Sequence, residues 1–115
     1  MADTGTAASL AEFELLVLLA ALRLGPDEAY TVSIADDIQQ RTGRPVRRAN
    51  VYTTLQRLES KRLIATRLSE SRAERGGKPR LLVTVRPAGV AAVRAATGGI
   101  QAMVAGLAKI IGESS

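Results

Sequence analysis

The chain has 115 residues, no cysteine, no histidine and a net charge of +5. That length suits one domain with a modest core. The missing residue types exclude disulfides, thiolate metal sites and thiol redox chemistry, and they remove the commonest general base.

Residues 1–8 are small and polar, and a flexible N-terminal arm is expected there. Ser9-Leu10-Ala11-Glu12 reads as a capping box, in which the Ser9 hydroxyl and the Glu12 carboxylate satisfy each other's backbone donors. A first helix then runs to about Leu24, where Gly25-Pro26 ends it. Residues 13–24 are apolar nearly all round, so this helix must be covered on more than one side, and a second copy of the chain is a natural cover. Phe13 and Leu16 are therefore placed at a dimer interface. The apolar run of residues 15–24 is about half of what spans a bilayer, and Arg23 interrupts it. Glu12 and Glu14 precede it where a signal peptide wants cations. No membrane segment and a cytoplasmic location are expected.

Residues 27–30 form a connector. Thr31 or Ser33 can cap a second helix running to about Thr42, with Ile34, Ala35 and Ile38 inward. Gly43-Arg44-Pro45 stops it. A third helix follows from about Arg48 to Arg62, and on it two faces separate. Val51, Leu55 and Leu58, with Tyr52 beside them, form an apolar stripe. Asn50, Thr53, Thr54, Arg57 and Lys61 fall on the other side, with Arg47 and Arg48 at the N-terminal end. An isolated helix of this kind is usually just a solvated surface helix. After a short helix and a Gly/Pro turn it becomes a helix-turn-helix, whose second helix can enter a DNA major groove.

From Ile64 the period changes to two. Residues 64–68 and 81–85 read as strands joined by a tip containing Arg72, Arg75, Gly76, Gly77 and Lys78, followed by Pro79 and Arg80. A basic hairpin after a helix-turn-helix makes a winged helix; an edge charged against aggregation explains fewer of these cations. Pro87 opens the last helix. It carries Val93, Ala96, Ile100, Met103, Leu107 and Ile110 at 3-4-3-4-3 spacing, a coiled-coil seam, against the alternative that it packs back on its own domain. Gly98-Gly99 admits a kink, a break or close helix packing. The fold class expected is mostly α with a small β-hairpin wing: a winged helix-turn-helix over 9–86 and a C-terminal dimerisation helix over 87–115.

Charge supports the placement. Residues 1–43 carry two cations against seven acids, residues 44–80 eleven cations against three acids, and residues 81–115 three cations against one acid. A basic middle third is the footprint of a polyanion partner. The run Asn50-Val51-Tyr52-Thr53-Thr54-Leu55-Gln56-Arg57-Leu58-Glu59, with Gly77-Lys78-Pro79-Arg80 and Ala88-Gly89, resembles the PadR family of bacterial transcriptional regulators. The resemblance covers roughly residues 9–95. It implies a winged-helix dimer, usually a repressor, joined through helix one and the C-terminal helix. The chain departs from the family at three places: Arg62 stands where glycine is usual, Leu82 and Val83 replace paired tyrosines, and Arg86 replaces a capping threonine.

The roles expected follow from side-chain chemistry. Asn50, Thr53 and Arg57 read base edges; Arg47, Arg48, Tyr52, Thr54, Lys61, Arg72, Arg75, Lys78 and Arg80 contact phosphates. Phe13, Leu16, Val93, Ile100, Met103, Leu107 and Ile110 form the dimer contact. The partners expected are a double-stranded DNA operator and a second copy of the chain. No metal and no cofactor are expected, and a small-molecule effector would sit near Phe13, Leu16, Val17 and Met103. An enzyme is a weak rival: Asp36 and Asp37 are adjacent and point apart, and the Gly76-Gly77-Lys78 run lacks the rest of a phosphate loop. A winged helix binding RNA or a protein is the alternative, although three aromatic residues make a poor stacking platform.

Overall fold

A computed structural model describes residues 9–70 and 79–112. The element order is α1 (Glu12–Leu24), α2 (Thr31–Thr42), α3 (Arg48–Ser60), β1 (Ile64–Leu68), β2 (Leu81–Val85) and α4 (Pro87–Val104). The two strands pair antiparallel, from Ile64 opposite Val85 to Leu68 opposite Leu81. The arm expected over 1–8 and the hairpin-tip residues Arg72, Arg75 and Lys78 lie outside the described residues.

Most helix ends sit where the punctuating residues put them, but two caps differ from expectation. Ala11, not Ser9, is the N-cap of α1, and its N–H donates to Glu14 Oε1 at 2.9 Å. The reciprocal partner is thus Glu14, two residues beyond the expected Glu12. Tyr30 is the N-cap of α2, and its N–H donates to Ser33 Oγ at 3.0 Å. At the other end of α2, Gly43 takes the left-handed conformation at φ +75°.

α3 ends in a Schellman turn: the Leu63 N–H donates to the Leu58 carbonyl at 3.0 Å and the Arg62 N–H to the Glu59 carbonyl at 2.9 Å. Leu58 and Leu63 are both buried across it. The turn forces Arg62 to φ +62°, a conformation glycine adopts freely and a side chain resists. Arg62→Gly is expected to stabilise the protein by about 0.5–1 kcal/mol, after the extra freedom of glycine in the unfolded chain is subtracted. Thermal unfolding should show a rise in Tm; an unchanged or lower Tm would rule this strain out.

The core gathers Val17 and Leu18 of α1, Ile34 of α2, Val51, Leu55 and Leu58 of α3, and Ile64 and Val83 of the hairpin, all fully buried. α1 lies in the middle and touches α2, α3, β2 and α4. Its apolar girth is therefore met largely inside the chain, which corrects the expectation that a second copy covers it; of its large side chains only Leu22 stays well exposed. The α1–α2 connector is stitched to the hairpin base. The Val83 N–H donates to the Ala29 carbonyl at 2.9 Å, Arg67 pairs with Asp27 at 2.8 Å, and the Arg80 guanidinium lies 4.4 Å from the Tyr30 ring centre.

α4 joins the core by its first half only. Ala92 and Val93 are buried among the chain's own apolar residues, so Val93 is a core residue rather than the dimer contact expected. The helix runs unbroken through Gly98 and Gly99, where an added Cβ would meet nothing within 4 Å. It stops at Val104, and Gly106 turns the backbone at φ +84°. Leu107 and Ile110 follow in turns, so the expected heptad seam is cut after Met103.

Candidate nucleic-acid interface

The interface is built on α3. Val51, Leu55 and Leu58 anchor its back in the core, which fixes which residues face out. Asn50, Thr53 and Arg57 recur at i, i+3 and i+7, and all three are exposed. Arg47 and Arg48 stand exposed at the N-terminal end. Arg47 is the N-cap and supplies no side-chain acceptor for the first backbone N–H groups. Those donors and the positive end of the helix dipole favour an anion there. Arg47, Arg48 and Arg57 form no ion pair among the described residues.

Beside this front lies a cleft of about 420 Å³ between α1 and α3, lined by Phe13, Arg44, Arg47, Asn50, Thr53 and Arg57 among others. Two sequence expectations change here. Phe13 faces the α3 front and not the C-terminal helix. Arg44, read only as part of a turn, is a wall of the cleft, held loosely by exposed Glu12 at 3.3 Å. Its place in a charged run was the available signal.

Three phosphate assignments are revised by what the side chains already do. Thr54 is only 4% exposed, because it follows Val51 by three residues and precedes Leu58 by four, and so shares the buried stripe. Lys61 is bound by the Glu14 carboxylate, its ammonium donating to Oε2 at 2.9 Å and Oε1 at 3.0 Å. Arg80 is stacked on Tyr30 at the hairpin base. Tyr52 moves the other way: it lies off the buried stripe, on the flank opposite Thr54, and is 47% exposed.

Glu14 is the one buried acid among the described residues. Burial pushes its pKa up, but the Ala11 N–H, the bound Lys61 ammonium and the charge of Arg57 together outweigh burial and hold it below the ordinary value. A lone carboxylate in an apolar helix was the signal for such a site; its partner, 47 residues away, carried none.

A second concavity, about 680 Å³ and mostly apolar, lies between the start of α1 and the outer half of α4, lined by Leu10, Leu15, Ala96, Gly99, Ile100 and Met103 among others. It holds Met103 as expected of an effector site. Phe13, Leu16 and Val17 are not part of its lining, since Val17 is fully buried and Phe13 faces the α3 cleft. Among the described residues no group of acids is placed to hold a metal ion, and no helix is long and apolar enough to cross a membrane.

The model of the transcriptional regulator PadR-like family matches residues 18–95, more than half of the chain. The chain belongs to this family. A PadR-like chain is a transcriptional regulator and not an enzyme. Solved structures agree on the fold. A PadR family transcriptional regulator from Eggerthella lenta DSM 2243 is 24% identical, with a TM-score of 0.65 over 87% of this chain and 86% of that one. A PadR-like transcription factor from Bacteroides fragilis is 21% identical, with a TM-score of 0.59 over 88% and 87%. The circadian clock associated protein Pex from Anabaena is 17% identical, with a TM-score of 0.51 over 85% and 87%. A search of curated proteins finds no match to this chain. In PadR terms α2 and α3 are the helix-turn-helix, and β1 and β2 are the base of the wing.

Proposed function

We propose that this PadR-like chain is a dimeric repressor, and that two copies of α3 enter successive major grooves of a near-palindromic duplex operator, about 34–36 Å apart. The observation carrying the proposal is the α3 front: Asn50, Thr53 and Arg57 exposed on one stripe, beside Arg47 and Arg48, with no acid among the described residues pairing any of these arginines. Arg57 forks onto a guanine and Asn50 onto an adenine, while Arg47, Arg48 and the Tyr52 hydroxyl take phosphates. The wing-tip cations Arg72, Arg75 and Lys78 belong with the phosphate contacts on chemistry alone. Repression rather than activation rests on the family resemblance. A small apolar effector would act from the concavity between α1 and α4.

Binding titrations across a salt series test the assignment. Arg57→Ala is expected to lower the ratio of operator to random-duplex affinity about tenfold or more, the cost of one lost bidentate base contact. Arg48→Ala is expected to weaken both duplexes alike and to flatten the salt slope by about 0.9. If Arg57→Ala only flattens the slope, Arg57 is a phosphate contact and the division of roles is wrong. Single-stranded RNA competing as well as duplex DNA would favour the RNA-binding reading.

A further inference from the structure

We infer that Glu14 withholds Lys61 from DNA, so that Glu14 is a positioning residue that sets where the cationic front of α3 ends. The inference rests on the proposal that α3 meets a duplex. Lys61 stands four residues beyond Arg57, on the stripe of Asn50, Thr53 and Arg57, and a free ammonium there would extend that front by one turn. The structure turns it the other way. Both Glu14 oxygens accept from the ammonium, at 2.9 and 3.0 Å, and the Ser9 carbonyl accepts at 3.5 Å.

Burial makes this pair different from its neighbour. The Glu14 side chain is 3% exposed and the Lys61 side chain 36%, whereas the Arg44–Glu12 pair is 48% and 72% exposed. Arg44 can trade an exposed carboxylate for a phosphate at little cost. Lys61 cannot, because its departure leaves a carboxylate buried without its cation. The carboxylate also accepts the Ala11 N–H at the α1 start, so one group ties the beginning of α1 to the end of α3.

The test is a salt series on random duplex with the full-length protein and three variants: Glu14→Gln, Lys61→Met and the double substitution. Glutamine keeps an acceptor for the Ala11 N–H but gives up the charge that holds Lys61. Glu14→Gln is expected to steepen the slope of log K against log salt by about 0.9, one added phosphate contact, which makes affinity fall about 3.5-fold further between 50 and 200 mM. Lys61→Met alone should leave the wild-type slope unchanged, yet in the Glu14→Gln background it should remove the added steepness. A role confined to stability moves the melting temperature and not the slope. If Lys61→Met lowers the slope equally in both backgrounds, Lys61 already touches a phosphate and the inference is overturned. It is overturned equally if Glu14→Gln leaves the slope unchanged. Should Glu14→Gln not fold at the assay temperature, Lys61→Met in the wild type still decides: a slope lower by about 0.9 overturns the inference. A wild type without salt-dependent duplex binding would instead defeat the proposed function itself.

Discussion

Met103→Asp is expected to give a folded monomer whose affinity for a full operator falls about a hundredfold. Met103 is 77% exposed and Ile100 53% exposed in the single chain, so neither contributes to its core. They are spaced i, i+3 on α4 and continue into Val104, Leu107, Ile110 and Ile111, an exposed apolar surface of a kind that marks an interaction site. A charge at its centre costs nothing in the monomer and much when buried against a second copy. Two half-sites read by a joined pair gain about 10²–10⁴ in affinity through effective concentration, and a monomer forfeits that gain. Sedimentation equilibrium reads the association, and titration of full-site against half-site duplex reads the consequence. Half-site affinity should be unchanged, since α3 is untouched. A Met103→Asp protein that is still dimeric, with full-site binding intact, would remove α4 from the proposed assembly.

How much of this was legible in the chain depended on whether the cause was local. Gly25, Gly43 and Pro87 stop or start helices by their own backbone restrictions, and each does so where the sequence places it. The α3 back, Val51, Leu55 and Leu58, follows from period alone. Thr54 did not, because at the border of a stripe the neighbours decide burial, and small polar residues fit either side. Tyr52 was misjudged for the same reason in the opposite direction.

Long-range pairing left the weakest trace. Glu14 meets Lys61, and Arg80 meets Tyr30, across separations that no periodicity encodes. Both cations look like spare phosphate contacts until their partners are seen. The α4 seam shows a subtler failure. Its 3-4-3-4-3 spacing assumed one continuous helix, but Ala105 and Gly106 end it, so Leu107 and Ile110 keep their spacing in the chain and lose it in space. Val93 obeys the same spacing and is claimed by the chain's own core.

Gly89→Ala should destabilise the protein by about 2 kcal/mol, a fall in Tm on the order of 8 °C. Gly89 was visible in the sequence only as part of an Ala-Gly pair after a proline. In the structure it is buried in the first turn of α4, at the point where that helix crosses the start of β1. A Cβ there would lie well inside contact with the Leu63 carbonyl oxygen and 2.8 Å from Val85 Cγ1. The valine methyl can rotate away; the carbonyl cannot, since it is backbone and accepts the Arg86 N–H at 2.9 Å. Relief must therefore come from α4 moving off the hairpin, which loosens Ala92 and Val93 in the core. Alanine would add about 1 kcal/mol of helix propensity over glycine, so the net loss is smaller than the clash itself. Thermal unfolding of the variant checks the sum. A Tm at or above the wild-type value would mean that the close approach of α4 to β1 is not what holds this helix in place.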